Sequence, residues 1–179
     1  MAEYGEFLEK VKPLVHQCAI IETDKINFSN DVRSVCESNA CGQYNKSWVC
    51  PPAIGEVEDL KKKCLTYSDA LVFTTCGKLT DSFDIEGMEV QRSKHDKTQK
   101  KVRELLNFDD NLLLGVGGCR LCKTCNYPDP CRFPDSIIPS LESYGINVVD
   151  LAKKTGLNYH NGENTVTYFS IVFFNKTKI

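Results

Sequence analysis

Apolar and polar positions along this chain follow two periods, and their alternation predicts its elements. Residues 3–17 (EYGEFLEKVKPLVHQ) place Phe7, Leu8, Val11, Leu14 and Val15 at helical spacing, with Pro13 weakening the second half. Residues 18–28 read as a strand. From Asn30 to Pro52 no periodicity survives, which predicts a loop. Residues 54–66 then carry Ile54, Val57, Leu60, Cys64 and Leu65 on one helical face. DALVFTTCGKL (69–79) has the β-branched and aromatic content of a buried strand. A long, mostly polar helix is predicted over 86–106, and a short buried strand over 111–118. A Pro-containing loop follows at 119–135, then short helices in SLESYGI and VVDLAKKTG, and a closing strand over 165–174. Strands alternate with helices, so the expected architecture is a single α/β domain with a central mixed sheet. Two irregular cysteine-rich loops, 30–52 and 119–135, are expected to emerge from the edges or ends of that sheet.

A chain of 179 residues is of single-domain size. Its 22 Lys and Arg against 24 Asp and Glu give a net charge of -2, which argues against a protein built to coat nucleic acid or an anionic membrane. An apolar fraction of 41% and a charged fraction of 26% exclude wholesale disorder. No run approaches the roughly 18 apolar residues of a membrane span. The start, MAEYGEFLEK, lacks the basic and apolar regions of a secretory signal, so a cytoplasmic protein is expected. No repeat or linker is visible.

One count stands out: ten cysteines. In a reducing compartment such density reports metal ligation or redox chemistry rather than disulfides. Cys36, Cys41 and Cys50 form one group, the last followed by Pro51 and Pro52; Cys119, Cys122, Cys125 and Cys131 form a second. Three thiols spaced by two residues can present successive sulfurs to different irons of a cubane, as in bacterial ferredoxins. The gap before Cys131 and the absence of an immediate Pro depart from the ferredoxin pattern. Zinc, which ordinarily takes paired thiols or a Cys/His mixture, is the alternative. The third sulfur favours iron, and His16, His95 and His160 lie far from both groups in sequence. The first group has three thiols where a 4Fe–4S cluster needs four ligands. Cys131, Cys18, Cys64 or Cys76 could complete it; failing that, one iron stays open as a Lewis acid. Cys64 and Cys76 occupy apolar positions of a helix and a strand and, with Cys18, read as inert buried thiols.

The stretch VCESNACGQYNKSWVCPP, with Tyr44, Lys46 and Trp48 inside it, resembles the DUF2284 family, described as predicted metal-binding proteins of anaerobic archaea and bacteria. So does GCRLCKTCNYPDPCRFPDSIIPSLESYGINV. The resemblance covers the chain from about residue 18 onward. It implies Cys36, Cys41, Cys50, Cys119, Cys122, Cys125 and Cys131 as metal ligands and implies no activity.

Other signals are weaker. Gly115, Gly117 and Gly118 fail the dinucleotide fingerprint because Arg120 stands where it requires Gly or Ala. They are expected instead to let backbone approach a cluster and donate N–H groups to it. Neither a P-loop nor a hydrolase constellation is present. Arg92, Lys94, Lys97, Lys100, Lys101 and Arg103 make a basic helix, either a solvated face or a docking surface for an acidic electron carrier or an anionic substrate. Tyr44, Trp48 and Phe133 are expected to shield a cluster, and Arg132 to balance its charge.

The expected function is an iron–sulfur protein with one or two 4Fe–4S clusters between the loops, passing electrons between a carrier and a redox partner protein. An enzyme with an open-iron cluster, acting in sulfur removal or dehydration, and a structural zinc or metal-delivery module are the alternatives.

Overall fold

Four strands, β1 (Gln17–Glu22), β2 (Asp69–Lys78), β3 (Leu112–Leu114) and β4 (Thr165–Phe174), form one sheet in the order β1-β2-β4-β3. The computed structural model describes residues 4–106 and 110–176, so Glu3, the first residue of the expected opening helix, lies outside them. The α/β class holds, but the sheet is not mixed: all three ladders are antiparallel, and the parallel pairing found is a single bridge between Gly115 and Ser140.

Both faces of the sheet are covered, which explains why β2 and β4 read as continuous apolar runs rather than as alternation. Ala70, Val72, Phe169, Ile171 and Phe173 point to one side, into a cluster with Leu60, Leu141, Tyr144, Ile146 and Leu151. Leu71, Phe73, Val172 and Phe174 point to the other, against Phe7, Val11, Val102 and Leu106. The first layer is built from α3 (Val57–Cys64) and α5 (Val148–Thr155), the second from α1 (Gly5–Val11) and the long α4 (Ile85–Leu105). A buried polar strip crosses the second interface. His95 on α4 bonds Thr75 Oγ1 at 2.8 Å and Ser170 Oγ at 2.7 Å, while Gln99 donates to Ser170 Oγ at 2.6 Å.

Several elements depart from the sequence expectation for local reasons. Pro13 opens a 3₁₀ turn (Lys12–Leu14), so α1 stops at Val11. The strand expected over 18–28 ends at Glu22 in another 3₁₀ turn, and Phe28 makes only an isolated bridge with Ile146. The strand expected over 111–118 shrinks to Leu112–Leu114. The largest change is α2 (Asn30–Glu37), a helix inside the expected first loop. Ser29 caps it by accepting from the Asp31 N–H, and the residue it buries is Arg33, whereas Val35 is 65% exposed. Val32, Val35 and Cys36 do stand at helical spacing, but over eight residues the run is too short to read as a period. The first cysteine loop therefore follows a helix, whereas the second leaves β3, an edge strand.

Candidate metal centre

The segment Pro139–Ile146 brings the two cysteine loops together. At one end the Gly115 N–H donates to Pro139 O (2.8 Å) and the Leu141 N–H to Gly115 O (3.2 Å), fixing the exit of β3 four residues before Cys119. At the other end Ser29 N–H donates to Gly145 O at 2.8 Å, fixing the start of the helix that carries Cys36. Gly145 has φ +75°, and a Cβ there would stand 2.8 Å from Ser29 O, so the close approach needs glycine. Arg33 reinforces the junction: its Nη1 donates to Ser143 O (2.6 Å) and its Nη2 to Gly55 O (2.7 Å).

The loops also bond to one another directly. Trp48 Nε1 donates to Asp129 O at 2.9 Å, Tyr127 Oη donates to Asn45 Oδ1 at 2.8 Å, and the two rings meet edge to face at 5.2 Å. Peptide bonds 51–52 and 127–128 are both cis. Burial opposes ionisation of Cys125, but the backbone of Tyr127 and Trp48, the Ser47 hydroxyl and the backbone of Asn126 hydrogen-bond its sulfur and together hold the thiol below its usual range. Two of those donors come from the opposite loop, so the loops interlock around this sulfur.

Between the loops lies a cavity of about 790 Å³. Six of the seven expected ligands line it: Cys36, Cys41, Cys50, Cys119, Cys122 and Cys125. Cys131 does not; it faces a small cavity of about 30 Å³ with Cys119, Cys122 and Cys125. No disulfide joins any of the ten cysteines. Desolvation, then the neighbouring Cys41 and Cys36, push Cys50 up to about 11. Desolvation also raises Cys36 and Cys119. Cys18, Cys64 and Cys76 line neither cavity. Cys64 is fully buried and pushed up to about 12, an inert core thiol, but Cys18 and Cys76 are only partly buried, because the sheet ends there are less covered than its centre.

The wall holds six soft thiol donors and neither imidazole nor carboxylate, a donor set that fits a thiolate-bound metal group. Among the described residues no three His, Cys, Asp or Glu side chains gather tightly enough to hold a lone ion. The family model described as predicted metal-binding protein, DUF2284, matches residues 19–174. The chain belongs to the DUF2284 family. No curated protein and no solved structure matches it.

In this DUF2284 protein Arg132 borders the small cavity with Cys119, Cys122, Cys125 and Cys131 rather than the large one, and its guanidinium donates to Thr124 O (3.3 Å) and Asn126 Oδ1 (2.9 Å). Four cations line the large cavity, Lys46, Arg92, Arg120 and Lys123; Arg92, read in the sequence only as part of a basic helix, donates from Nη2 to Val116 O (2.5 Å) and Gly118 O (3.1 Å). Gly117 (φ +58°) lies against that guanidinium, and a side chain at Gly115 would collide with Gln99, so both glycines are explained by close packing. Trp48 and Phe133 border only the small cavity, whereas Tyr44 lines the large one. Lys94, Lys97, Lys100 and Lys101 stay exposed on α4, while Arg103 donates to Asn111 Oδ1. No helix among the described residues is long and apolar enough to cross a membrane.

Proposed function

We propose that the two loops hold iron–sulfur centres and that this protein passes single electrons to a partner. The observation that carries the reading is the convergence of six thiols from two distant loops on one cavity of about 790 Å³. A tetrahedral zinc ion with Zn–S bonds of about 2.3 Å draws its ligands around a point and leaves no such space. Cubane clusters spread their ligands over a larger body and are held by thiolates alone. Cys36, Cys41, Cys50, Cys119, Cys122, Cys125 and Cys131 are the residues that would hold them. When bound, such a group supplies a one-electron couple. The chain's own part is to position the thiols with the docked loops and to offset negative charge with the cations of the wall.

The exposed lysines of α4 offer a steering surface for an acidic electron carrier, whose weak, fast encounters suit long-range charge attraction. Ten cysteines read as metal ligands and core thiols rather than as disulfides fit a reducing, cytoplasmic setting and anaerobic metabolism. Anaerobic purification or reconstitution followed by iron and acid-labile sulfide quantification tests the reading. The expected protein is brown, absorbs near 400 nm and gives an EPR signal on reduction. Colourless protein carrying stoichiometric zinc refutes it.

A further inference from the structure

We propose that the seven thiols divide into a set of four, Cys119, Cys122, Cys125 and Cys131, and a set of three, Cys36, Cys41 and Cys50, and that the position left on the three-thiol side takes a small anionic ligand held by Lys46 and Lys123. The inference rests on the thiolate-bound iron proposed above and deepens it by naming a ligand class.

The division follows from where Cys131 stands. It shares the small cavity with the three other thiols of its own loop and is absent from the wall that Cys36, Cys41 and Cys50 face. Cys64 is sealed in the core cluster beneath the sheet, and neither Cys18 nor Cys76 reaches the wall. With Cys119, Cys122 and Cys125 assigned to the second set, the first lacks a fourth protein thiol. That is the situation in which a metal centre keeps an exchangeable position.

The charge of the cavity wall identifies what fills the position. The wall carries four cations, Lys46, Arg92, Arg120 and Lys123, and no carboxylate lines it, although Glu142 acts on Cys36 from beside it. Two of the four are already engaged: Arg92 holds the Val116 and Gly118 carbonyls, and Arg120 pairs with Glu89 and lies 3.8 Å from Asp96. Lys46 and Lys123 have no carboxylate within ion-pair distance among the described residues. Both are exposed, so their ammonium groups can swing over the opening. Thiols that share a wall with two unengaged ammonium groups select a small anion with a sulfur, carbon or oxygen donor that iron accepts.

The test uses the full chain reconstituted anaerobically, with potassium cyanide, sodium sulfite and sodium acetate as probes. Iron for two clusters rather than one is expected, and at least one probe should shift the EPR signal of the reduced protein saturably. Cys131→Ser should lose about half the iron and keep the anion response, because only one of the two clusters is removed. Cys41→Ser should abolish the response. The exposed pair Lys46→Ala and Lys123→Ala should together weaken the probe's Kd by about tenfold at unchanged iron content. Circular dichroism of each variant establishes that it folds. Iron for a single cluster, a signal unmoved by all three probes, or an unaltered Kd in the lysine variant overturns the proposal and leaves the iron–sulfur reading intact. Protein that takes up no iron removes both.

Discussion

Replacing Arg33 by Met tests whether a single buried cation holds the first cysteine loop in place. Arg33 is 6% exposed, and its two donating nitrogens reach Ser143 O at 2.6 Å and Gly55 O at 2.7 Å. Its Nε is buried and meets no acceptor. Hydrogen bonds to a charged group contribute about 1.5–3 kcal/mol each, so two lost bonds amount to about 3–6 kcal/mol. Methionine fills much of the same volume and removes a desolvated charge, which returns on the order of 1–2 kcal/mol. The net expectation is a loss of about 1–5 kcal/mol, or a fall in Tm on the order of 10 °C for a chain of this size. Urea unfolding of the metal-free protein measures it without interference from bound iron. Lysine at the same position can reach one carbonyl but not both and should fall between the two. Val35→Ala on the same helix is the control: at 65% exposure it should stay within about 0.5 kcal/mol of wild type. Cys36 lies one turn beyond Arg33, so Arg33→Met should also release iron sooner on exposure to chelator. An unfolding midpoint for Arg33→Met indistinguishable from wild type would refute the anchoring argument outright.

Three further outcomes follow from other sites. Desolvation, then the charge of Arg92, lowers His95 to about 4, below its unfolded value of 6.5, so the stability it confers is intact above about pH 6.5 and is lost as pH falls towards 4; His95→Gln should flatten that slope, worth about 3 kcal/mol, in urea titrations at pH 4.5 and 7. Trp48→Phe keeps the ring against Tyr127 but loses the bond to Asp129 O, and should speed amide exchange in both cysteine loops by about fivefold, in keeping with a bond worth about 1 kcal/mol, while leaving β2 and β4 unchanged. Cys64→Ala should cost about 1–2 kcal/mol of stability with no change in metal content, whereas Cys122→Ser should lower metal content; equal metal loss in both would contradict the inert assignment of Cys64.

The sequence was legible wherever local pattern and tertiary role coincided. Strand β4 was expected over 165–174 and spans those residues, because both its faces are covered and every residue from Phe169 on is buried. Helices α4 and α5 were similarly plain. Helix α2 was not, since its stabilising contacts come from a cap and a buried guanidinium rather than from an apolar stripe. The strand expected over 18–28 was too long because Ile26 and Phe28 continue the apolar alternation after the chain has already turned at Thr23. In the site, cysteine spacing marked both loops. It could not show which α4 cation turns inward, because Arg92, Lys94 and Lys97 are equivalent in composition and differ only in their angle around the helix. Ser140 and Ser143 were visible only as letters in a motif; their place on the cavity wall depends on Gly115 pairing with Pro139.

The same contacts decide what metal removal does to the fold. Small metal-binding modules unfold without their ion because the metal supplies most of the folding free energy. Here none of the seven loop cysteines belongs to either core cluster, and the sheet's largest buried residues, Phe73, Phe173 and Phe174, lie in strands that need no metal to pair. The loops are held by protein groups as well: Arg33 on two carbonyls, Arg92 on two more, and the Trp48 and Tyr127 bonds from loop to loop. Anaerobic chelation should therefore leave far-UV circular dichroism nearly unchanged and amide protection in β2 and β4 intact, while protection falls in residues 36–50 and 119–131. The thiols of those loops repel once ionised and lose their common partner when metal departs, so loosening should begin there and stop at α2 and the Pro139–Ile146 segment. Loss of the sheet's protection in step with loss of metal would mean that the centre builds the domain, in the manner of a zinc finger, and that the protein contacts between the loops are a consequence of metal binding rather than its scaffold.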